Sequence, residues 1–371
     1  MFSLKGITKT HLLQLIKSVI IASAGGLLFA LLHFPLAWML GPLTSVLVWQ
    51  IAAKKKLYWP TGFRNGGQIL LGYSMGLSFT AESARQIAAS LPSMVMSTAL
   101  LTGSSLVFAF LIARQTGISM PSSIMGCIPG GISQMVPLSE EIKGAEPTIV
   151  TFMQTIRMLV VTFMVPFLAV HGLADADAAD NLAQSQTLAG LPAADPSWLM
   201  IAAAVVLVGL SAIFAVRFKF PNPWLIGPLI ASAVFSASGI EFPHLPQLII
   251  IIAQLCIGIY LGQGIKLKAL SGWRRLLPYS LAGSILLVGM TLAISYVLSL
   301  TQPISFVTAF LSIAPGGLPE MGVTAAAIHA DVSKVAAYQL FRVFFVLFIV
   351  PIVLKRIFSK PFNRQHSQDY S

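Results

Sequence analysis

Charge is what this chain has least of. Only 9% of its 371 residues are Asp, Glu, Lys or Arg, where soluble domains carry roughly 25%, and 56% are hydrophobic. That composition excludes an ordinary soluble domain and reads as a polytopic membrane protein. Acidic residues are the scarcer kind, 12 against 23 basic ones, for a formal charge of +11. In a soluble chain the excess would suggest nucleic acid; here it fits the Lys/Arg enrichment of cytoplasmic loops. The two cysteines, Cys127 and Cys256, lie in apolar stretches and read as small packing residues, not a disulfide or metal pair. The histidines are scattered without metal-ligand spacing. There is no Gly-rich phosphate loop, nucleophile elbow or DNA-reading module. The expectation is a protein that is not an enzyme, carries no cofactor or metal, and contacts no nucleic acid directly.

What is present is punctuation. Pro129-Gly130-Gly131 and Pro315-Gly316-Gly317 each interrupt an apolar, helix-forming region and lie 186 residues apart (129 to 315). Proline removes a backbone donor and glycine permits conformations closed to other residues. Shifting the sequence by 186 aligns more than these breaks. Trp38-x-x-Gly41-Pro42 meets Trp224-x-x-Gly227-Pro228, and Gln68, Gly72 and Gly76 meet Gln254, Gly258 and Gly262. After one deletion the offset becomes 185, placing Gln154 and Arg157 on Gln339 and Arg342. The chain reads as a duplication.

Hydropathy predicts helices near 11–33, 36–53, 65–80, 87–113 and 147–170, then near 197–217, 223–239, 248–264, 276–299 and 332–354. The broken segments fall near 118–138 and 304–330. Ala22-Ser23-Ala24 resembles a cleavage site, but Lys17 interrupts the preceding run, so 11–33 is read as a retained helix. Lys54-Lys55-Lys56, Arg64, Arg114, Arg217, Lys219, Lys266, Lys268, Arg274, Arg275 and Lys355 fall on one side only if each half crosses an odd number of times. The expected fold is therefore all-α: two inverted repeats of about five transmembrane helices, each with a broken or re-entrant segment. Residues 1–171 form repeat 1, residues 172–196 an acidic external linker (Asp175, Asp177, Asp180, Asp195), and residues 197–371 repeat 2 with a basic tail. Both termini are expected on the cytoplasmic side of the membrane. Nothing in the sequence sets an oligomeric state.

Broken helices in both halves of a duplicated membrane protein point to a transporter binding site. The expected substrate-binding set is Pro129, Gly130, Gly131, Gln134, Gln154 and Arg157 with Pro315, Gly316, Gly317, Glu320, Gln339 and Arg342. Arg157 and Arg342 lie about eleven residues into their helices, too central to snorkel. Each suits an anion's carboxylate, or else neutralises the carbonyl end of a half-helix or pairs with Glu320 or Asp331. Glu320, in the first turn after a break, is either favoured there by the helix dipole or is a site for proton or sodium coupling. Gln68, Gln254, Trp38 and Trp224 are read as packing or secondary positions.

The matched Trp-x-x-Gly-Pro, Pro-Gly-Gly and Gln/Arg positions resemble the membrane AbrB-duplication family of bacterial inner-membrane proteins, over nearly the whole chain. Labels in that family, such as regulator of gene expression or ammonia monooxygenase, are largely inherited. The fold is similar by analogy to inverted-repeat carriers such as cation/proton antiporters. Two functions follow as expectations: a secondary transporter of a small anionic solute, or a membrane-embedded regulator of gene expression acting indirectly through a partner or a solute level.

Overall fold

A computed structural model describes residues 9–53, 57–173, 198–240, 242–265 and 273–359. The expected linker with its Asp residues, Lys54–Lys56, Lys266, Lys268 and the basic tail from residue 360 lie outside the described residues, as does the side chain of Arg274. The described chain is helical, with no strand. The first half holds α1 (Lys9–Leu31), α2 (Ala37–Ala53), α3 (Thr61–Gly76), α4 (Ala81–Ala89), α5 (Leu91–Thr116), α6 (Met120–Cys127), α7 (Ile132–Glu141) and α8 (Pro147–Leu168). The second holds α9 (Trp198–Arg217), α10 (Pro223–Ala237), α11 (Gln247–Gly264), α12 (Trp273–Thr301), α13 (Phe306–Ile313), α14 (Leu318–Ala327) and α15 (Val332–Ser359). Among the described residues, seven helices are long and apolar enough to cross a membrane, and α2 and α10 are shorter apolar helices.

One boundary differs from expectation. The predicted helix from 87 divides at Ser90, where Pro92 falls in the first turn of α5. The residues before it belong to a separate amphipathic helix capped by Thr80, whose hydroxyl accepts from Ser83 N while Ser83 Oγ accepts from Thr80 N.

The helices form two groups. In the first, α2 lies against α1 and α11, α10 lies against α9 and α3, and α3 meets α11. Glycine makes this packing possible. A Cβ on Gly72 would collide with the carbonyl of Leu225, and one on Gly258 with the carbonyl of Met39. Gly76 and Gly262 repeat the contact on the carbonyls of Leu229 and Leu43. These partners keep the 186-residue offset, so the same small-residue crossing occurs twice, each time between helices from opposite halves. The second group holds α5 to α8 and α12 to α15, with α5 against α12 at its centre. A buried cluster joins the groups, running from Met39, Leu71 and Leu225 to Val161, Phe310 and Met321.

Each broken segment is a hairpin. Ser119 caps α6 and its hydroxyl donates to Ser122 Oγ at 2.7 Å; Ser122 Oγ in turn accepts the amide of Glu146, just before α8, at 2.7 Å. Ser305 caps α13 in the same way, donating to Thr308 Oγ1, which accepts the amide of Asp331 at 3.3 Å. The start of each first arm is thereby tied to the start of the long helix that follows the second arm. The chain enters and leaves at one end of that long helix.

Candidate functional site: two hairpin tips between the long helices

At the tips the backbone turns within three residues. The amide of Gly130 donates to the carbonyl of Ile128, and that of Gly316 to the carbonyl of Ala314, both at 2.8 Å. Gly131 has φ +79°, a left-handed conformation that favours glycine. The last carbonyls of α6 and α13 have no helical partner and need one inside the protein.

Arg and Gln from the long helices supply it. Gln154 Nε2 donates to the carbonyls of Met125 (2.6 Å) and Ile128 (3.0 Å), and Arg157 donates to those of Cys127 (3.0 Å) and Ile128 (2.6 Å). Arg157 also donates to Gln154 Oε1 at 2.5 Å. In the second half Gln339 donates to the carbonyls of Leu311 (2.7 Å) and Ala314 (3.0 Å). Arg342 reaches the carbonyls of Ile313, Ala314 and Gly316 and Gln339 Oε1. All four side chains are buried. An Arg at a membrane helix centre costs about 2.5–3.5 kcal/mol on insertion scales, and each hydrogen bond to a charged group returns about 1.5–3 kcal/mol. Three or four such bonds offset the burial. Of the roles open in the sequence, the structure has each Arg closing the carbonyl end of a half-helix. Its planar fork is spent there; its charge is not.

Neither guanidinium has a carboxylate within ion-pair distance among the described residues. Asp331 instead pairs with Lys334 at 3.4 Å. Each tip also rests on the opposite long helix: Gly130 beside Val346, and Gly316 beside Val161. Val346 follows Arg342 by four residues, and Val161 follows Arg157 by four, so the tips sit roughly one helical turn, about 6 Å, apart along each long helix. Glu141, at the base of the first hairpin, meets Lys355 at 2.6 Å. From Val346 to Lys355, α15 therefore runs from tip to base of that hairpin, whereas α8 runs from base to tip. The long helices are antiparallel.

The halves differ at the second arms. Glu320 is buried, its carboxyl lies over Gly317 where a Cβ would go, and Oε2 has no partner. Its counterpart Gln134 is half-buried, and a Cβ on Gly131 would meet nothing within 4 Å. Residues 318–325 of α14 are all buried, and Gly322 packs under Met75 of α3. In α7 only Met135, Leu138 and Ser139 are buried, and among the described residues α7 makes no comparable contact with α11. Pro129 and Pro315 are buried at the turns.

The secondary positions lie in the other helix group. Trp38 packs its ring over Gly26 of α1. With the Asn65 amide turned so that its oxygen faces the indole, Trp224 Nε1 donates to Asn65 Oδ1 at 3.1 Å. Gln68 is buried with Oε1 unpartnered, and Gln254 is half-buried. Ser119, Ser122, Ser305 and Thr308, which pin the hairpin bases, were not among the expected site residues. Their signal is a Ser–x–x–Ser/Thr pattern at the entry to each broken segment, a cap pattern with nothing in it about the distant partner.

Fold and site together define a multi-pass helical architecture of the membrane type, with paired, arginine-closed hairpins between two antiparallel long helices. The sequence places it more closely: the family described as "Transition state regulatory protein AbrB" matches residues 38–358, and the chain belongs to that family. It is similar to "Uncharacterized protein YhjN" of Bacillus subtilis (strain 168), 26% identical over 375 residues, spanning 92% of each chain. It is also similar to "Putative regulator AbrB" of Escherichia coli (strain K12), 25% identical over 329 residues, spanning 89% of this chain and 92% of the relative.

Proposed function

We propose that this chain is a secondary transporter that moves a small anionic solute across the bacterial inner membrane by alternating access between two inverted halves. The observation that carries the reading is the pair of hairpin tips set about one turn apart on antiparallel long helices, each closed by a buried arginine without a carboxylate partner. Broken helices at membrane depth are tolerated where they line a cavity or are buried in protein. The amino ends of α7 and α14 add positive dipole at the same level. The anion sits between Gly131–Gln134 and the facing tip, attracted by two guanidinium charges whose forks hold the hairpins in place.

The unequal packing of matched elements supports alternating access. The second arm α14 is closed onto α3, while α7 is open toward α11. Exchanging those two arrangements would present the tips to the opposite face, as expected of inverted repeats. Glu320 is the group for proton or sodium coupling: a buried carboxyl, next to a tip, with an unpartnered oxygen. Both termini lie in the cytoplasm in this reading, following the positive-inside distribution.

The experiment is a thermal-stability screen of the purified chain against small carboxylates, inorganic anions and cations, since a ligand that binds only the folded state raises apparent stability. An anion that stabilises the wild type and loses its effect in Gln134→Ala supports the site. Stabilisation by no solute, with a stable partner captured on the cytoplasmic loops, favours the second reading, an indirect regulator. The name of the Escherichia coli relative favours that reading.

A further inference from the structure

A small cavity opens beside Arg157, between α5, α6, α8 and α12, and the second half fills the equivalent place. The cavity has a volume of about 20 Å³, room for a water-sized or halide-sized guest. Arg157 and Ser280 both border it. Arg157 Nε and Ser280 Oγ are both buried without a hydrogen-bond partner, on side chains 6% and 3% exposed. The remaining walls are mainly apolar, with Gly126, Met153, Gly283 and Leu287 leaving the space open. At offsets of 186 and 185, Gly126, Met153 and Ser280 correspond to Ser312, Tyr338 and Met94. Met94 and Tyr338 are buried in one apolar cluster with Leu101, Ile294 and Leu298, and the Tyr338 hydroxyl is paired with Ser93 at 2.7 Å. The second half spends this volume on side chains; the first keeps it, with two unused polar atoms beside it.

We propose that this cavity is a binding site for a halide-sized monovalent anion. Its edge offers a guanidinium N–H, a donor that cannot accept, and a hydroxyl free to turn its hydrogen inward. The field there is positive: the Arg157 guanidinium borders the cavity and has no carboxylate within ion-pair distance among the described residues. An anion satisfies both groups and the charge together, whereas water satisfies only the hydrogen bonds. The cavity lies between α5, α6, α8 and α12, so this site is distinct from the solute site between the tips and does not depend on transport.

The test uses the full chain in detergent, with its unfolding midpoint followed as chloride or bromide replaces gluconate at constant ionic strength. The expected result is a saturable rise with either halide, weakened at least tenfold in apparent affinity by Ser280→Ala. A second variant, Met153→Tyr with Ser280→Met, imports the side chains that fill the counterpart space; it is expected to lose the halide response while remaining folded. A bromide anomalous-scattering peak beside Arg157 would place the ion directly. No halide response in the folded wild type overturns the site and leaves a water there. An equal response in wild type and Ser280→Ala also overturns it, as a general salt effect.

Discussion

Gly72 lies against the backbone carbonyl of Leu225, and the same contact recurs 186 residues on, where Gly258 lies against the carbonyl of Met39. The two contacts join α3 to α10 and α11 to α2, so each half holds the other at backbone distance. Gly72→Leu and Gly258→Leu are therefore each expected to destabilise the chain by about 1–3 kcal/mol or more, the cost of overpacking a close crossing. Gly103, where an added Cβ would meet nothing within 4 Å, serves as the control. Equal thermal shifts for the three glycines would show that the crossings are not close.

Gln339 and Arg342 act on one set of carbonyls and on each other. Removing Gln339 leaves the carbonyl of Leu311 without its side-chain donor and Arg342 without one acceptor. Gln339→Ala is expected to cost about 1–3 kcal/mol. Combined with Arg342→Lys, the losses should be non-additive by about 0.5–3 kcal/mol, as for residues in one network. Simple additivity in a double-mutant cycle would place the two residues in separate roles.

The base of the second hairpin has a pH signature. Burial acts to raise the Asp331 carboxyl, but hydrogen bonds from Ser333 Oγ and Lys334 N, with the Lys334 charge, outweigh it and hold the group below its ordinary value. The folded state thus binds this proton less readily than the unfolded state, whose carboxyl titrates near pH ~4. Its stabilising contribution is complete above that pH and is lost as pH falls through the lower, folded value. Wild type should exceed Asp331→Asn in stability near neutrality, with the gap closing in acid. A gap that widened in acid would contradict the sign.

The ion pair between Lys355 and Glu141 is a useful contrast. Both side chains are more than half exposed, at 55% and 58%, so solvent screens the pair and Glu141→Gln is expected to cost less than about 1 kcal/mol. A much larger loss in a thermal melt would mean that this contact carries the hairpin.

Much of this architecture was legible in the sequence because glycine, proline and tryptophan mark backbone positions that other residues cannot fill. The Gly72/Gly76 and Gly258/Gly262 pairs mark places of close backbone approach, and Trp38-x-x-Gly41-Pro42 and its counterpart mark packing positions, but the partner helices were not legible. The role of Arg157 and Arg342 was legible only as alternatives. A buried Arg serves an anion, a carboxylate or a half-helix equally well, and the spacing from Cys127 to Arg157 gives no preference. Nor could hydropathy distinguish a hairpin from a crossing between 118 and 138, since both need a similar apolar length. The deciding contact, Ser122 with Glu146, joins residues on either side of a break. The cavity beside Arg157 was not visible at all, because its walls come from four helices.

The most direct test of transport through the hairpin tips is water access to them. Gln134→Cys and Glu320→Cys, each in a background with Cys127 and Cys256 replaced, would be exposed to a membrane-impermeant thiol reagent from either face of sealed vesicles. Alternating access predicts labelling at both positions despite their depth, with the accessible face changing when a bound anion or an ion gradient shifts the conformation. No labelling of either position from either face, in folded protein, would contradict the account.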